Sequence, residues 1–338
     1  MRAALVAAVA AVACSAPANL PELAQAESRA DAGDVAGAVA AYQAAQRTCM
    51  RLRPRRRAIA ACGDALLGEG DVLDRAGRTA DAIAVYLAIP ERAPDPTTAA
   101  TATYRAGDLL LRDKQIVPAW TQLWKVVTDY PDEALAADAL KDLVADGRHR
   151  DARALVDELA KLTTPLASTQ VADNLLWWLA DLSEHELADP ERARDLYDRI
   201  YTDYPQSGLR DDSRWHAARL TRALGDPKGA VARLRGLLAT REVSLLAGSY
   251  FSIWLDDAQL ELGKILRDDL HDPAGAAAAF RRLPKDYPAS ILRDDALYEL
   301  AVTLAQTGDH AGACHAVADL IELEPDSKYR ARAEALCK

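Results

Sequence analysis

The apolar positions of this chain follow one short pattern that recurs along most of its length. A turn residue is followed five positions later by Ala, four later by a bulky residue and three later by another apolar residue. In the stretch "HDPAGAAAAFRRLPKDYP", His271 leads in this way to Ala276, Phe280 and Leu283, and Pro288 follows. Spacings of four and three place these side chains on one face of an α-helix. The pattern therefore predicts a helix that buries one face and ends before the Pro.

Eight copies of this pattern stand in tandem. Seven are led by the turn residues Gly33, Gly77, Gly147, Ala188, Gly225, His271 and Gly308, and the third copy, around residue 118, stands in a shifted register. The anchor alanines are Ala38, Ala82, Ala119, Ala152, Ala193, Ala230, Ala276 and Ala313. Each interval has room for a second helix, so the sequence predicts tandem helical hairpins. Gly permits the left-handed turn between the helices, and an Asp after it caps the second helix.

Composition supports a purely helical fold. Apolar residues make up 50% of the chain, but many are Ala and only two are Phe. Ala favours helices and lets them approach closely. We find no segment of alternating Val, Ile and Thr that would predict a strand. Junctions such as "YPQS" (204–207) and "YPAS" (287–290) place a helix-stopping Pro before a Ser that is expected to cap the next helix.

The tandem pattern resembles the tetratricopeptide repeat, a helix–turn–helix unit with a period of 34 residues. The resemblance implies an all-α fold, a right-handed α-solenoid of about eight hairpins over residues 20–338. It also implies a concave surface formed by the first helix of each repeat. The Tyr-Pro junctions resemble those of periplasmic lipoproteins of the BamD-like and CpoB-like kinds.

The N-terminus has the features of an export signal. Arg2 precedes an unbroken apolar run over residues 3–13, which is too short to span a membrane. The following "AVAC" resembles a bacterial lipobox, so residues 1–13 are interpreted as a lipoprotein signal peptide and 14–19 as a tether with lipidated Cys14. Ser15 in place of Asp implies the periplasmic face of the outer membrane. Cleavage after Ala18, giving a soluble secreted or periplasmic protein, and a buried apolar N-terminal helix remain the alternatives.

The other cysteines are also typical of an exported protein. Besides Cys14 there are four, an even number that suggests disulfides in an exported chain. Each member of a pair lies on one side of a predicted turn Pro, so we expect Cys49–Cys62 and Cys314–Cys337. Four free thiols in a cytosolic protein are the alternative.

We find little sign of chemistry. The net charge of −10 argues against nucleic-acid binding, and there is no HExxH, Walker or G-x-S-x-G pattern. The acidic pairs Asp211-Asp212, Asp256-Asp257 and Asp294-Asp295 are interpreted as first-turn helix acids. We therefore predict no enzyme, no cofactor, no metal and no small-molecule substrate.

Two sets of residues are candidates for binding. The first lies on the predicted concave surface and consists of Tyr104, Trp177, Trp178, Arg214 and Tyr298. Trp177 and Trp178 are adjacent, so they cannot both face one core. The second is the run "RLRPRRR", with Arg51, Arg53, Arg55, Arg56 and Arg57, which is expected to contact anionic lipid or an acidic partner if it is more than a solvated loop.

These observations predict a non-enzymatic scaffold of the bacterial cell envelope that binds a protein or peptide partner. Attachment to the membrane would be through the N-terminal lipid. The alternative is a structural subunit of an outer-membrane assembly or a motility complex.

Overall fold

The structure, a computed structural model, describes residues 20–52, 59–240 and 252–338, and within these ranges the regular elements are helices. In chain order they are α1 (Pro21–Asp31), α2 (Val35–Leu52), α3 (Ile59–Arg75), α4 (Thr79–Ala88), a 3₁₀ turn (Pro90–Arg92), α5 (Pro96–Arg112), α6 (Ile116–Asp129), α7 (Leu135–Leu162), α8 (Ala172–His185), α9 (Pro190–Asp203), α10 (Arg210–Ala223), α11 (Pro227–Leu238), α12 (Leu255–Asp268), α13 (Pro273–Asp286), α14 (Arg293–Gln306), α15 (His310–Leu323) and α16 (Arg330–Ala335). None of the helices in these ranges has the length and apolarity to cross a bilayer.

The helices form two compact units. Of the described residues, one unit comprises 20–52, 59–146 and 168–171, and the other comprises 147–167, 172–240 and 252–338. Within the first unit α1–α2, α3–α4 and α5–α6 pack as hairpins, and within the second α8–α9, α10–α11, α12–α13 and α14–α15 do so. The predicted all-α array of tandem hairpins is confirmed.

The turns between paired helices use the left-handed backbone conformation. Gly33, Gly77, Gly225 and Gly308 have φ between 73° and 85°, as predicted for glycine at a helix end. Lys114, Ala188 and His271 take the same conformation, with φ of 62°, 50° and 53°. Lys114 stands five residues before Ala119, so the third copy keeps the common spacing, and its predicted register shift is wrong.

The fourth copy departs from its predicted position. Gly147 lies within α7, and the non-helical residue is Asp151, with φ −155° and ψ 87°. Its Oδ1 accepts a hydrogen bond from the Ala154 backbone N–H at 2.9 Å. The cap therefore lies three residues later than the pattern placed it. Counted from this cap, the anchor position holds the buried Leu155, and Ala152 is only half-buried.

The core of each hairpin follows from the pattern. Seven of the eight predicted anchor alanines, all except Ala152, are fully buried, and so are most of the bulky residues that follow them. Glycines in the first helix make room for these bulky residues. A Cβ at Gly70 would lie 2.4 Å from the Tyr86 ring, and one at Gly263 would lie 2.4 Å from the Phe280 ring. The two helices are therefore closer there than any larger residue would allow.

The Tyr-Pro-x-Ser serines do not cap helices as predicted. The Oγ of Ser290 accepts from the Leu292 backbone N–H at 3.0 Å, which forms a local turn before α14 begins at Arg293. The same Oγ donates to Asp256 Oδ2 of the preceding hairpin at 2.6 Å. Ser327 repeats both contacts one hairpin later. The acidic pairs lie in the first turns of their helices as predicted, and in addition they bind the next junction.

The cysteines pair between consecutive helical segments. Cys49 in α2 is bonded to Cys62 in α3, with Cα atoms 5.7 Å apart. Cys314 in α15 is bonded to Cys337 beyond α16, with Cα atoms 5.4 Å apart. These are the two pairs that the sequence predicted.

Candidate interaction surface

The first helices of the first unit form a polar cleft of about 500 Å³ between α3 and α5. It is lined by Asp71, Asp74, Arg75, Tyr86, Arg105, Asp108, Leu109 and Arg112. The spacing of three and four residues along both helices brings these side chains to one face. The cleft therefore presents three carboxylates and three guanidinium groups around an apolar base.

Ion pairs across the cleft hold α3 against α5. Arg105 pairs with Asp71, which also accepts a 2.5 Å hydrogen bond from the Tyr86 hydroxyl. Burial, with the hydrogen bond to Asp71, raises the pKa of Tyr86 well above its usual value. Arg112 lies 3.3 Å from Asp74, whereas among the described residues the Arg75 guanidinium makes a single 3.4 Å bond, to the Asp71 backbone oxygen. Arg75 is thus the cation of the cleft with most capacity for a partner.

In the second unit, ion pairs link each first helix to the next. Arg148 of α7 pairs with Asp181 of α8, and Arg267 of α12 pairs with Glu299 of α14. Between these, Arg222 of α10 lies 2.5 Å from a Glu261 oxygen of α12. Much of the charge on this face is therefore used to join hairpins.

An aromatic cluster lies among α8, α9 and α10. The ring of Trp177 packs edge-on against Tyr197 at 5.3 Å and His216 at 5.4 Å, and Tyr197 stacks on His216 at 5.0 Å. His216 Nδ1 lies 3.6 Å from a Glu184 oxygen. Burial lowers the pKa of His216, although Glu184 acts in the opposite direction. His216 is therefore a neutral packing residue at neutral pH.

The predicted binding residues of the second unit are mostly engaged in packing. Trp177 belongs to the aromatic cluster, and neighbouring Trp178 is partly exposed. Arg214 lies 2.9 Å from Asp198, with its guanidinium 4.3 Å above the Tyr201 ring, so it joins α10 to α9.

The remaining two candidates also make internal contacts. Tyr298 stacks on Tyr329 at 4.4 Å. In the first unit, Tyr104 donates a 2.8 Å hydrogen bond to Asp142. The five candidates are distributed over α5 of the first unit and α8, α10 and α14 of the second.

Several predictions lie outside the described residues. These are the signal segment 1–13, the tether 14–19 with Cys14, and Arg53, Arg55, Arg56 and Arg57. The backbone of Arg51 is within α2, but its side chain is also outside the description.

Sequence reasoning missed the α3–α5 cleft. The available signal was the recurrence of acidic and basic residues directly after the packing glycines, in "GDVLDR" (70–75) and "GDLLLR" (107–112). The same order of charged residues in the first helices of two consecutive hairpins indicates a polar surface that both helices share. Within the described parts of the chain, no cluster of His, Cys, Asp and Glu could hold a metal ion.

The geometry defines a class of protein, a tandem array of helical hairpins that serves as a scaffold for protein–protein interaction. The model of the tetratricopeptide repeat family matches residues 23–96, 137–208 and 260–328, more than half of the chain. The chain therefore belongs to the tetratricopeptide repeat family. No curated protein matches it as a sequence relative.

Solved structures with a similar fold are distant. YrrB, described as a tetratricopeptide repeat protein with an unusual peptide-binding site, is 15% identical over 63% of this chain and 97% of its own, with a TM-score of 0.40. PilF of Pseudomonas aeruginosa is 17% identical over 71% of this chain and 98% of its own, with a TM-score of 0.41. The Naa15/Naa10 structure bound to HypK-THB is 15% identical over 92% of this chain and 43% of its own, with a TM-score of 0.43.

Proposed function

We propose that this protein is an exported, lipid-anchored scaffold of the bacterial cell envelope that binds a protein or peptide partner in the α3–α5 cleft. The single observation that carries the compartment is the presence of two disulfides, Cys49–Cys62 and Cys314–Cys337. Disulfides persist in oxidising compartments and are rare in the cytosol. The apolar run that ends at Cys14 supplies an export route consistent with them.

The chemistry of the cleft favours an extended segment with an acidic side chain. Arg75 has no carboxylate partner in the described parts of the chain and can form a bidentate contact with one, and Arg105 and Tyr86 are held beside it by Asp71. Arginine and tyrosine are the residues that most often dominate binding at protein interfaces. A rigid, partly desolvated cleft of this kind reduces the entropy lost on binding.

Lipidation is tested by labelling cells with an alkyne-bearing palmitate and recovering the protein. We expect label on the wild type and on Cys49→Ser, and none on Cys14→Ser. Intact mass should place the mature N-terminus at Cys14. A mature N-terminus at Asn19, or an unprocessed chain, would contradict the lipid anchor.

Partner binding is tested by cross-linking and pull-down from envelope fractions. We compare the wild type, a double variant Arg75→Glu/Arg112→Glu, and Lys125→Glu, which reverses an exposed charge on α6 away from the cleft. The partner recovered with the wild type and Lys125→Glu should be lost with the double variant. A stoichiometric complex retained by all three would favour the alternative role, a structural subunit of an outer-membrane assembly or motility complex.

A further inference from the structure

Grooves lie between the second helices of successive hairpins, on a different face from the ion pairs of the first helices. In the second unit, one groove of about 250 Å³ lies between α13 and α15, with α14 as its floor. An equivalent groove of about 470 Å³ lies between α11 and α13, over α12. We call these the outer grooves. They lie on α11, α13 and α15, whereas the ion pairs of the first-helix face join α8, α10, α12 and α14.

The floors of both outer grooves are leucine-rich. In the α13–α15 groove, Leu297, Leu300 and Leu304 lie at the base and Leu323 at the edge. The three floor leucines are at most 9% exposed, whereas Leu323 is 46% exposed. The apolar surface is thus recessed between two helices and does not protrude.

Each rim carries an exposed arginine, and the α13–α15 rim also carries Asp319, in a chain that is acidic as a whole. Arg235 borders the α11–α13 groove and Arg281 the α13–α15 groove, and both are exposed. Neither has a carboxylate partner among the residues that the structure describes. Arg282, on the first rim, is 3.1 Å from Asp286. On the second rim, His315 is 3.3 Å from Asp319.

The first unit has a groove of the same kind. It is about 360 Å³ in volume and lies between α2 and the segment after α4, over α3, with Leu66, Met50 and the Cys49–Cys62 disulfide in its lining. Arg92 stands on its rim, exposed and without a carboxylate partner in the described ranges. A recessed apolar floor beside an unpaired arginine therefore recurs at equivalent places.

We propose that the outer grooves of the second unit bind an amphipathic helix whose apolar stripe is flanked by Asp or Glu. A helix fits because the gap between two packed helices accepts the side-chain ridge of a third. Acidic flanks fit because Arg235 and Arg281 present unpaired positive charge at the rims. A membrane surface fits poorly because the leucines are recessed and a bilayer needs protruding apolar side chains. This surface is separate from the α3–α5 cleft.

The test is site-specific photo-cross-linking in the native host with the full-length protein. Benzoylphenylalanine is placed at Leu323 or at Ala278, which line the two grooves and are exposed, and at Glu322 as a control on α15 outside the groove lining. We expect adducts from the first two positions only, and mass spectrometry should identify an acidic, amphipathic segment of another protein.

Charge dependence completes the test. Arg235→Glu/Arg281→Glu removes one rim contact from each groove and should reduce the adduct yield at each probe about fivefold, which corresponds to about 1 kcal/mol per groove. Lys285→Glu, an exposed charge on α13 outside both grooves, should leave the yield unchanged. Circular dichroism establishes that each variant is folded.

The proposal is overturned by several outcomes. These are the absence of adducts at both groove positions, cross-links to lipid, cross-links to residues 241–251 or to a second copy of this chain, and yields insensitive to the double charge reversal.

Discussion

The close approach of α12 and α13 gives a sharp prediction for Gly263→Ala. A Cβ at this position would lie 2.4 Å, 2.6 Å and 2.8 Å from three atoms of the Phe280 ring, which is fully buried. Two effects oppose each other. Ala gains about 1 kcal/mol over Gly in helix propensity. Overpacking a tight core costs about 1–3 kcal/mol, and three contacts this short place the cost near 3. We expect a net loss of about 2 kcal/mol in the free energy of unfolding.

The assay is urea unfolding of the full chain followed by circular dichroism, with hydrogen exchange to localise the effect to α12 and α13. Gly236→Ala is the control, because the nearest atom to its added Cβ would be a terminal nitrogen of Arg214 at 3.3 Å, so a shift of a few tenths of an ångström would accommodate it. It should be neutral or stabilising. In a double-mutant cycle, Phe280→Leu should relieve the clash, so the double variant should lose less than the sum of the single variants. A Gly263→Ala protein as stable as the wild type would refute the reasoning.

Three further predictions concern single contacts. His216→Phe should flatten the fall in melting temperature between pH 7 and pH 5. Because burial lowers the pKa of His216, the unfolded chain takes up a proton first as the pH falls, and the wild type loses stability below the unfolded pKa of about 6.5. Cys314→Ser should remove the bond to Cys337 and cost the last hairpin about 3 kcal/mol, seen as faster hydrogen exchange in α16 and unchanged exchange in α3. Ser290→Ala should leave a partly buried Asp256 oxygen without its donor and lower stability by about 1 kcal/mol in urea unfolding.

The repeat was predictable because its signals are local. Ala, a bulky residue and a turn residue at fixed spacing define a helix face and its end, and this information needs no tertiary contact. Prediction failed where the local signal was weak. The turn at Lys114 has no glycine to mark it, and Gly147 stands within a helix although the pattern predicts a turn there. The Asp151 cap was the better signal.

The binding candidates were harder to predict because exposure of a side chain depends on its neighbours. Tyr104 and Arg214 are predicted groove residues, but both make internal contacts. Tyr104 binds Asp142, which is distant in sequence, and Arg214 binds Asp198, which lies on another helix. Trp177 likewise packs on Tyr197, a residue of the next helix. Conversely, the immediate sequence of Arg75 does not reveal that its guanidinium lacks a carboxylate partner in the described ranges.

The sequence by itself determined the helical hairpins and the pairing of the cysteines, because each depends on spacing along one short stretch of chain. Only the tertiary structure decided which charged groups are paired between hairpins and which are free. Whether a charged group is paired depends on the distance between helices that are far apart in sequence. The recessed leucine floor beside Arg281 depends on helix packing in the same way. The functional surfaces proposed for this protein are the places where packing leaves charge and apolar surface unpartnered.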